Sequence, residues 1–551
     1  MTWSSCVPQP VESNILTTSP CNHTRTDAHV PEHGAKTNGR SRDLSQTRRT
    51  LNVRSDVSMD SLLDLPSDVI INVFNYLSID SLYRLSLTCR YLHALISHFG
   101  WASYLRQNPR YSWSLSCIDQ VWSPFERVRY NSISERNWKN RDFIARPLSA
   151  PWRGRLRPEL TISRKRLVVA ADCNLYVYAF SQRSERASTP GIQLEGLYPL
   201  NGSNEQHQAL HDITAIAFLP DNGEDRTLLV GFVDGYVMRV TLPEPEKSGP
   251  LLVPELEPLD TEEDSIMSIS VSGNLSFTLS GFGKGTLRLG SSKIASEMDI
   301  GEKSWSSFLP SPNAQFVAIG ASSRMPLAVY PIRDTGLSSV PSAALTSVRA
   351  SEWASRAPAS AVYGITGPPP SFPGNPEQII VSGWFDGRVR LFDLRNPPTS
   401  SMTATPMAKA VPVLSPIMSL SDPWASESIY SVSSGGGTGC NIAAGTARHS
   451  VVAFWDVRAI RESWSVHAPG NDSSPVYAVQ LESSRLFGVT QSRAFVCDFG
   501  PGVDADTYPK LPQLTITGRR NRRGLDDALR TEDGIRYEVT KYLHRNPMAG
   551  G

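Results

Sequence analysis

No Cys-x-x-Cys pair occurs in the chain, and its seven cysteines, Cys6, Cys21, Cys89, Cys117, Cys173, Cys440 and Cys497, are scattered over 551 residues and odd in number. That argues against a disulfide framework and a zinc site, and leads us to expect a reducing compartment. No run approaches the roughly 18 apolar residues of a membrane span, and the first residues show no basic segment followed by an apolar stretch. The expectation is a protein of the cytoplasm, the nucleus or both, without a membrane partner. Neither sign of charge is in excess: 54 Lys and Arg stand against 53 Asp and Glu, so bulk attraction to nucleic acid is not expected. The motifs of common catalytic sites are missing as well, with no HExxH, no GxSxG and ten dispersed histidines. GFGKGT at Gly281 to Thr286 imitates a phosphate loop, but it lacks the GxxxxGK[ST] spacing and a following helix. GGGTG at Gly435 to Gly439 reads as an inter-strand loop. We expect neither cofactor nor metal, and no enzymatic activity.

What is present begins at LPSDVIINVFNYLSIDSLYRLSLTCRYLHALISHFGWASYL, residues 65–105. Val69, Ile70, Val73, Phe74 and Leu77 recur at helical spacing. Pro66 suits a first turn, and Asp68 complements the helix dipole there. A second helical run carries Leu82, Leu85, Leu87, Cys89, Leu92 and Leu95, with Ser78 or Asp80 as its cap. Apolar residues occupy more than one face, so Leu65, Pro66, Ile70 and Leu82 are expected to stay wet unless another protein covers them. The order Leu65-Pro66, Asp68-Val69-Ile70, Phe74, Tyr76-Leu77, Leu82, Leu85, Cys89-Arg90, Leu92, Leu95, Trp101 resembles the F-box. In that family three helices bind the Skp adaptor of cullin-RING ubiquitin ligases. The resemblance implies that Leu65, Pro66, Ile70 and Leu82 contribute to that surface, and that cullin joins through the adaptor. The plain alternative is a helical hairpin packed on its own chain.

Residues 1–59 hold too few aliphatic side chains to offset chain entropy and read as a disordered tail. The F-box spans 60–107, and a helical linker with aromatic anchors spans 108–150. Its ERNWKNR piece, with Asn137, Trp138 and Lys139, resembles the connector ahead of the propeller in F-box proteins with WD repeats.

Over 151–500 the texture changes to short strands between Gly, Asp, Ser and Pro turns. Seven units recur, beginning ELTISRKR, ITAIAFLP, IMSISVSG, SSFLPSPN, YGITGPPP, IMSLSD and VYAVQLES. Repeats of about 40 to 45 residues with four strands each mark a propeller. Phe454-Trp455-Asp456-Val457-Arg458 and Phe392-Asp393-Leu394-Arg395 resemble the WD-repeat family. Asp234-Gly235 and Asp386-Gly387 fit tight turns in which the carboxylate bonds nearby amides. The expected fold is thus α+β and multidomain: a disordered tail, a small all-α F-box, an all-β propeller of seven blades, and a C-terminal extension over 501–551.

Superposing the units places Thr214, Met267, Tyr363, Met418 and Tyr477 early in the first strands, and Phe232, Val233, Phe282, Trp384 and Phe385 in the turn after the second. Propeller receptors that read phosphorylated segments present arginines at such sites. Here Arg448 is the one guanidinium that falls there, so an apolar or aromatic peptide of a protein substrate is expected instead, with the filling of blade interfaces as the structural alternative. Arg519, Arg520, Arg522 and Arg523, and Arg153, Arg155, Arg157, Arg164, Lys165 and Arg166, read as solvated surface, with a nuclear-import or acidic-partner patch as the alternative. Leu525 to Leu543 reads as a short helix or strand pair. The resemblances together imply the substrate-recognition subunit of a Skp, cullin and F-box ubiquitin ligase. The runner-up is a scaffold that uses its F-box outside ubiquitination.

Overall fold

The computed structural model describes residues 62–118, 121–152, 156–181, 189–200, 212–244, 253–290, 293–346, 360–402, 410–470, 473–511 and 535–545. The expected tail, Arg153, Arg155 and the Arg519 to Arg523 cluster lie outside them. Leu62–Asp64 forms a 3-10 turn.

Helices α1 (Ser67–Phe74), α2 (Ile79–Ser86) and α3 (Arg90–Leu95) follow, and α3 runs through a π-helical turn, Ile96–Gly100, into α4 (Trp101–Gln107). Ser78 caps α2 by accepting from the Ser81 amide at 3.2 Å. Gly100 is needed for close approach, since a Cβ there would lie 3.1 Å from Ile96 and 3.4 Å from the Phe74 ring. Ile70, Phe74, Leu82, Leu92, Ile96 and Trp101 pack together, and Val128 of α5 (Pro124–Asn140) completes their cluster. A capping box, Ser123 with Glu126, starts α5 behind Pro124.

The strands form seven blades around an axis. Blades 1, 2 and 3 are four-stranded sheets over 159–199, 213–261 and 266–299. Blade 4 begins at Ser304–Phe308 and blade 5 at Ser360–Thr366, and a short pairing of Ser322 and Ser323 with Ala361 and Ser360 joins them into one sheet. Blade 6 spans 429–467, and blade 7 runs from Val476–Leu481 to Ala494–Asp498. Two strands come from outside the expected propeller span. Ile144–Pro147, assigned by sequence to the linker, is the outer strand of blade 7 and closes the ring. Lys541–Arg545, in the expected C-terminal extension, adds a fifth strand to blade 6 against Glu462–His467.

The turn glycines behave as expected, with φ of 89° at Gly235 and 76° at Gly387. The Asp386 carboxylate, however, binds Arg390 at 2.9 and 2.6 Å, not the backbone amides of its turn. Arg166 is not solvated surface either: it is buried and holds Glu195 at 2.7 Å.

Residues 108–118 and 121–140, ending in α5, form an arm that is joined to the ring by a dense set of contacts. Glu482, in the turn after the first strand of blade 7, accepts from the Trp113 and Ser114 amides at 2.7 and 2.8 Å. Trp138 donates from Nε1 to the Ser483 carbonyl at 2.8 Å and stacks on Phe499. The glycine-rich loop of blade 6 is part of this seat, since a Cβ at Gly436 would lie 3.0 Å from the Trp138 ring. Below, Arg485 and Asp498 form a fully buried ion pair at 3.0 Å.

Candidate functional site

Two surfaces stand out. The first lies on the F-box-like helices, and the structure corrects the expectation there. Ile70 is 1% exposed and Leu82 0%, both inside the helices' own core. The helical period points them inward, so they hold the hairpin together and cannot form the outward surface. Leu65 is half-buried against the same core, while Pro66 is exposed. Outside lie Val69, Val73 and Tyr76 along α1 and its end, with Tyr83, Leu87, Tyr91 and Phe99 beyond. Val69, Val73 and Tyr76 follow one another at helical steps and form an uncovered apolar stripe.

The second surface is the mouth of the central channel. In six blades the innermost pairing slips by one residue at the same place, between Ile213 and Ala215, Ile266 and Ser268, Ser304 and Ser306, Val362 and Gly364, Ile429 and Ser431, and Val476 and Ala478. A bulge re-aims the extra side chain out of the ladder. The bulged residues are Thr214, Met267, Trp305, Tyr363, Tyr430 and Tyr477, all partly exposed. Four of them form a continuous arc across blades 4 to 7. Trp305 meets Tyr363 edge-on at 5.2 Å, Tyr363 meets Tyr430 at 5.2 Å, and Tyr430 meets Tyr477 at 6.1 Å. Burial lifts the phenols of Tyr363 and Tyr477 above the ordinary value, so both stay neutral hydrogen-bonding groups. Trp305 is steadied by its Nε1 on the Ser322 hydroxyl at 2.7 Å, and the Lys303 ammonium lies 4.5 Å above its ring.

Thr214 and Met267 share the bulge position but not the arc, and the Thr214 hydroxyl donates to the Ile266 carbonyl of blade 3 at 2.5 Å. Met418 is not there at all. It belongs to Met418–Ser421, the outer strand of blade 5 paired with Arg388 to Leu391, and the inner strand of blade 6 is Ile429–Gly435. Taking IMSLSD as the start of a unit displaced the register and hid Tyr430. Starting the blade 4 unit at Ser306 hid Trp305 in the same way. The alternation in IYSVSSG, followed by NIAAGT, is the signal for Tyr430.

The second set of expected residues divides by burial. Phe232 is 0% and Trp384 1% exposed, packed in separate cores between blades. They fill interfaces and cannot meet a ligand. Trp384 is further fixed by its Nε1 on the Ser382 hydroxyl at 2.9 Å and by Arg390 over its ring at 4.7 Å. Val233, Phe282 and Phe385 are exposed on their turns, Phe282 by 72%. Arg448 is exposed with Glu427 at 3.8 Å. At the opposite end of the inner strands the turns carry the arm, so the mouth and the F-box-like helices lie on opposite faces of the ring. Glu482, which anchors the arm, is five residues beyond Tyr477, a strand length of roughly 17 Å. GFGKGT is structural: Lys284 starts a blade 3 strand and pairs with Glu262 at 2.8 Å.

Residues 62–106 match the F-box-like family. Among solved structures the chain is similar to Sqt1 of Chaetomium thermophilum bound to the N-terminus of the ribosomal protein L10, with 15% identity, 61% of this chain and 81% of that one covered, and a TM-score of 0.42. It is similar to U3-55K at 10% identity, covering 64% and 98%, with a TM-score of 0.43. It is also similar to the WD40 propeller domain of Doa1 at 11% identity, covering 66% and 98%, with a TM-score of 0.42. No curated protein sequence matches significantly. The chain thus joins an F-box-like segment, residues 62–106, to a seven-bladed β-propeller.

Proposed function

We propose that this protein is the substrate-recognition subunit of a Skp, cullin and F-box ubiquitin ligase in the cytoplasm or nucleus. One observation carries the reading: an uncovered apolar stripe on F-box-like helices is held through a packed arm on the face of the ring opposite an aromatic channel mouth. F-box domains generally bind Skp-type adaptors, and propellers bind proteins. In this reading the stripe takes the adaptor and the mouth takes an apolar or aromatic segment of the client. The packed arm fixes the distance between them, which raises the local concentration of a client lysine at the conjugating enzyme. No residue of this chain performs the transfer.

The test is reconstitution of the full chain with purified Skp adaptor and cullin, beside a Val69→Asp, Val73→Asp double variant. Stable assembly of all three that the variant abolishes is the expected result. Adaptor binding without cullin supports the scaffold role, and no adaptor binding by the wild type overturns the proposal.

A further inference from the structure

The fifth strand of blade 6 fits its place poorly. Lys541–Arg545 pairs antiparallel with Glu462–His467, from Lys541 opposite Val466 to Arg545 opposite Glu462. Few side chains reinforce that backbone pairing: Lys541, Tyr542 and Leu543 are exposed, and His544 is buried. The imidazole is set against Asp422, in the connection from blade 5 to blade 6, and against Ser465, with Nε2 3.3 Å from the carboxylate and 2.9 Å from the hydroxyl. Three polar atoms here stay unfilled. Among the described residues Oδ2 of Asp422, Oγ of Ser463 and Nδ1 of His544 itself have no hydrogen-bond partner, and all three residues are more than nine-tenths buried. Burial draws the imidazole below its ordinary value against the pull of Asp422, so the ring is neutral at neutral pH. The buried Asp422 carboxylate thus faces a neutral ring where a cation would suit it better, an arrangement that costs stability. Its Oδ1 also accepts from the Trp424 amide at 2.8 Å. The Trp424 indole, 80% exposed, stands beside the imidazole with ring centroids 6.2 Å apart.

A guanidinium supplies what the imidazole lacks: a fixed charge, and donors in a planar fork that matches both oxygens of a carboxylate. It also stacks on an indole face of the kind Trp424 offers. An edge strand held by few side chains belongs to the low-stability end of a fold, and without it Glu462–His467 presents open backbone groups to another extended chain. We propose that the outer edge of blade 6 is an acceptor site for an extended segment of a partner protein, which displaces the C-terminal strand, pairs with Glu462–His467 and sets an arginine in the place of His544, its guanidinium on both oxygens of Asp422. The chain's own strand occupies the site until such a segment arrives. The site is on the rim of the ring, apart from the helical stripe and the channel mouth, and stands independent of the adaptor and client assignments.

The test uses the full chain and two fluorescent peptides with the sequence of residues 537–545, one native and one carrying H544R. Y542P loosens the resident strand, since proline interrupts a ladder, and Y542P/D422N removes the carboxylate charge as well. Melting curves establish that both are folded. Y542P is expected to bind the H544R peptide about tenfold more tightly than the native one, the worth of a charge-assisted pair, and D422N is expected to erase that difference. Wild type gives a second readout that does not depend on the variants: excess H544R peptide is expected to lower the hydrogen-exchange protection of Lys541–Arg545. Equal binding of the two peptides, a preference that survives D422N, or no binding to Y542P together with unchanged protection in wild type overturns the inference.

Discussion

The indole of Trp138 lies flat on the ring of Phe499, centroids 3.6 Å apart and planes 11° from parallel, so the last helix of the arm ends inside the core shared by blades 6 and 7. Trp138→Ala removes this stack together with the hydrogen bond to Ser483. The expected cost is about 3–5 kcal/mol, as for other large-to-small aromatic changes in cores. Trp138→Phe keeps most of the stack and loses one hydrogen bond to the Ser483 carbonyl, which still accepts from the Gly437 amide at 2.7 Å, a cost of about 0.5–1.5 kcal/mol. Denaturant unfolding of both variants checks the ranking.

On the F-box-like helices, inward and outward residues separate cleanly in their predicted effects. Leu82→Ala empties core volume and lowers stability by about 2–5 kcal/mol. Val69→Asp changes an exposed position in the first turn of α1, where a carboxylate complements the helix dipole, and is expected to leave the melting temperature nearly unchanged. On the proposed reading it is expected to abolish adaptor binding by placing a charge in an apolar interface. Melting curves alongside adaptor titrations separate the two.

Beneath the arm, Asp498 accepts from Arg485 at 3.0 Å and from the Tyr508 hydroxyl, with both charged groups fully buried. Asp498→Ala leaves a guanidinium buried without its carboxylate, and about 3–5 kcal/mol is the expected loss. Thermal unfolding with and without the substitution measures it.

Glu159 gives a pH dependence of definite sign. Its ordinary value of 4.5 is raised to about 8 in the folded chain, so the folded state holds a proton that the unfolded state has released. Its contribution to stability is therefore highest below about pH 4.5, declines as pH rises toward about 8, and is level above that. E159Q lacks this descent. Its melting temperature is expected to gain on that of the wild type steadily from about pH 5 to about pH 8.

The ring and the helices were legible in the sequence because each rests on a repeated local pattern: helical spacing from Val69 to Leu95, and alternation with turn glycines in seven units. Legibility failed where one strand resembles another. IMSLSD and IYSVSSG have the same texture, and only pairing in space shows that the first is an outer strand and the second an inner one. Burial was misread for a related reason. Ile70 and Leu82 repeat like their exposed neighbours, and which face of a short helix turns inward is decided by the partner helix and by Val128, far along the chain. The bulges that aim the aromatic arc leave no mark in composition. Nor does the strand Lys541–Arg545, whose partner lies in blade 6.

The two-ended account is tested most directly by quantitative mass spectrometry of proteins purified with three forms of the full chain: wild type, Val69→Asp with Val73→Asp, and Tyr363→Ala with Tyr430→Ala. The first double variant is expected to lose adaptor and cullin while clients remain bound and accumulate. The second keeps adaptor and cullin and loses the clients. Clients that survive in the mouth variant, or adaptor that survives in the helix variant, contradict it.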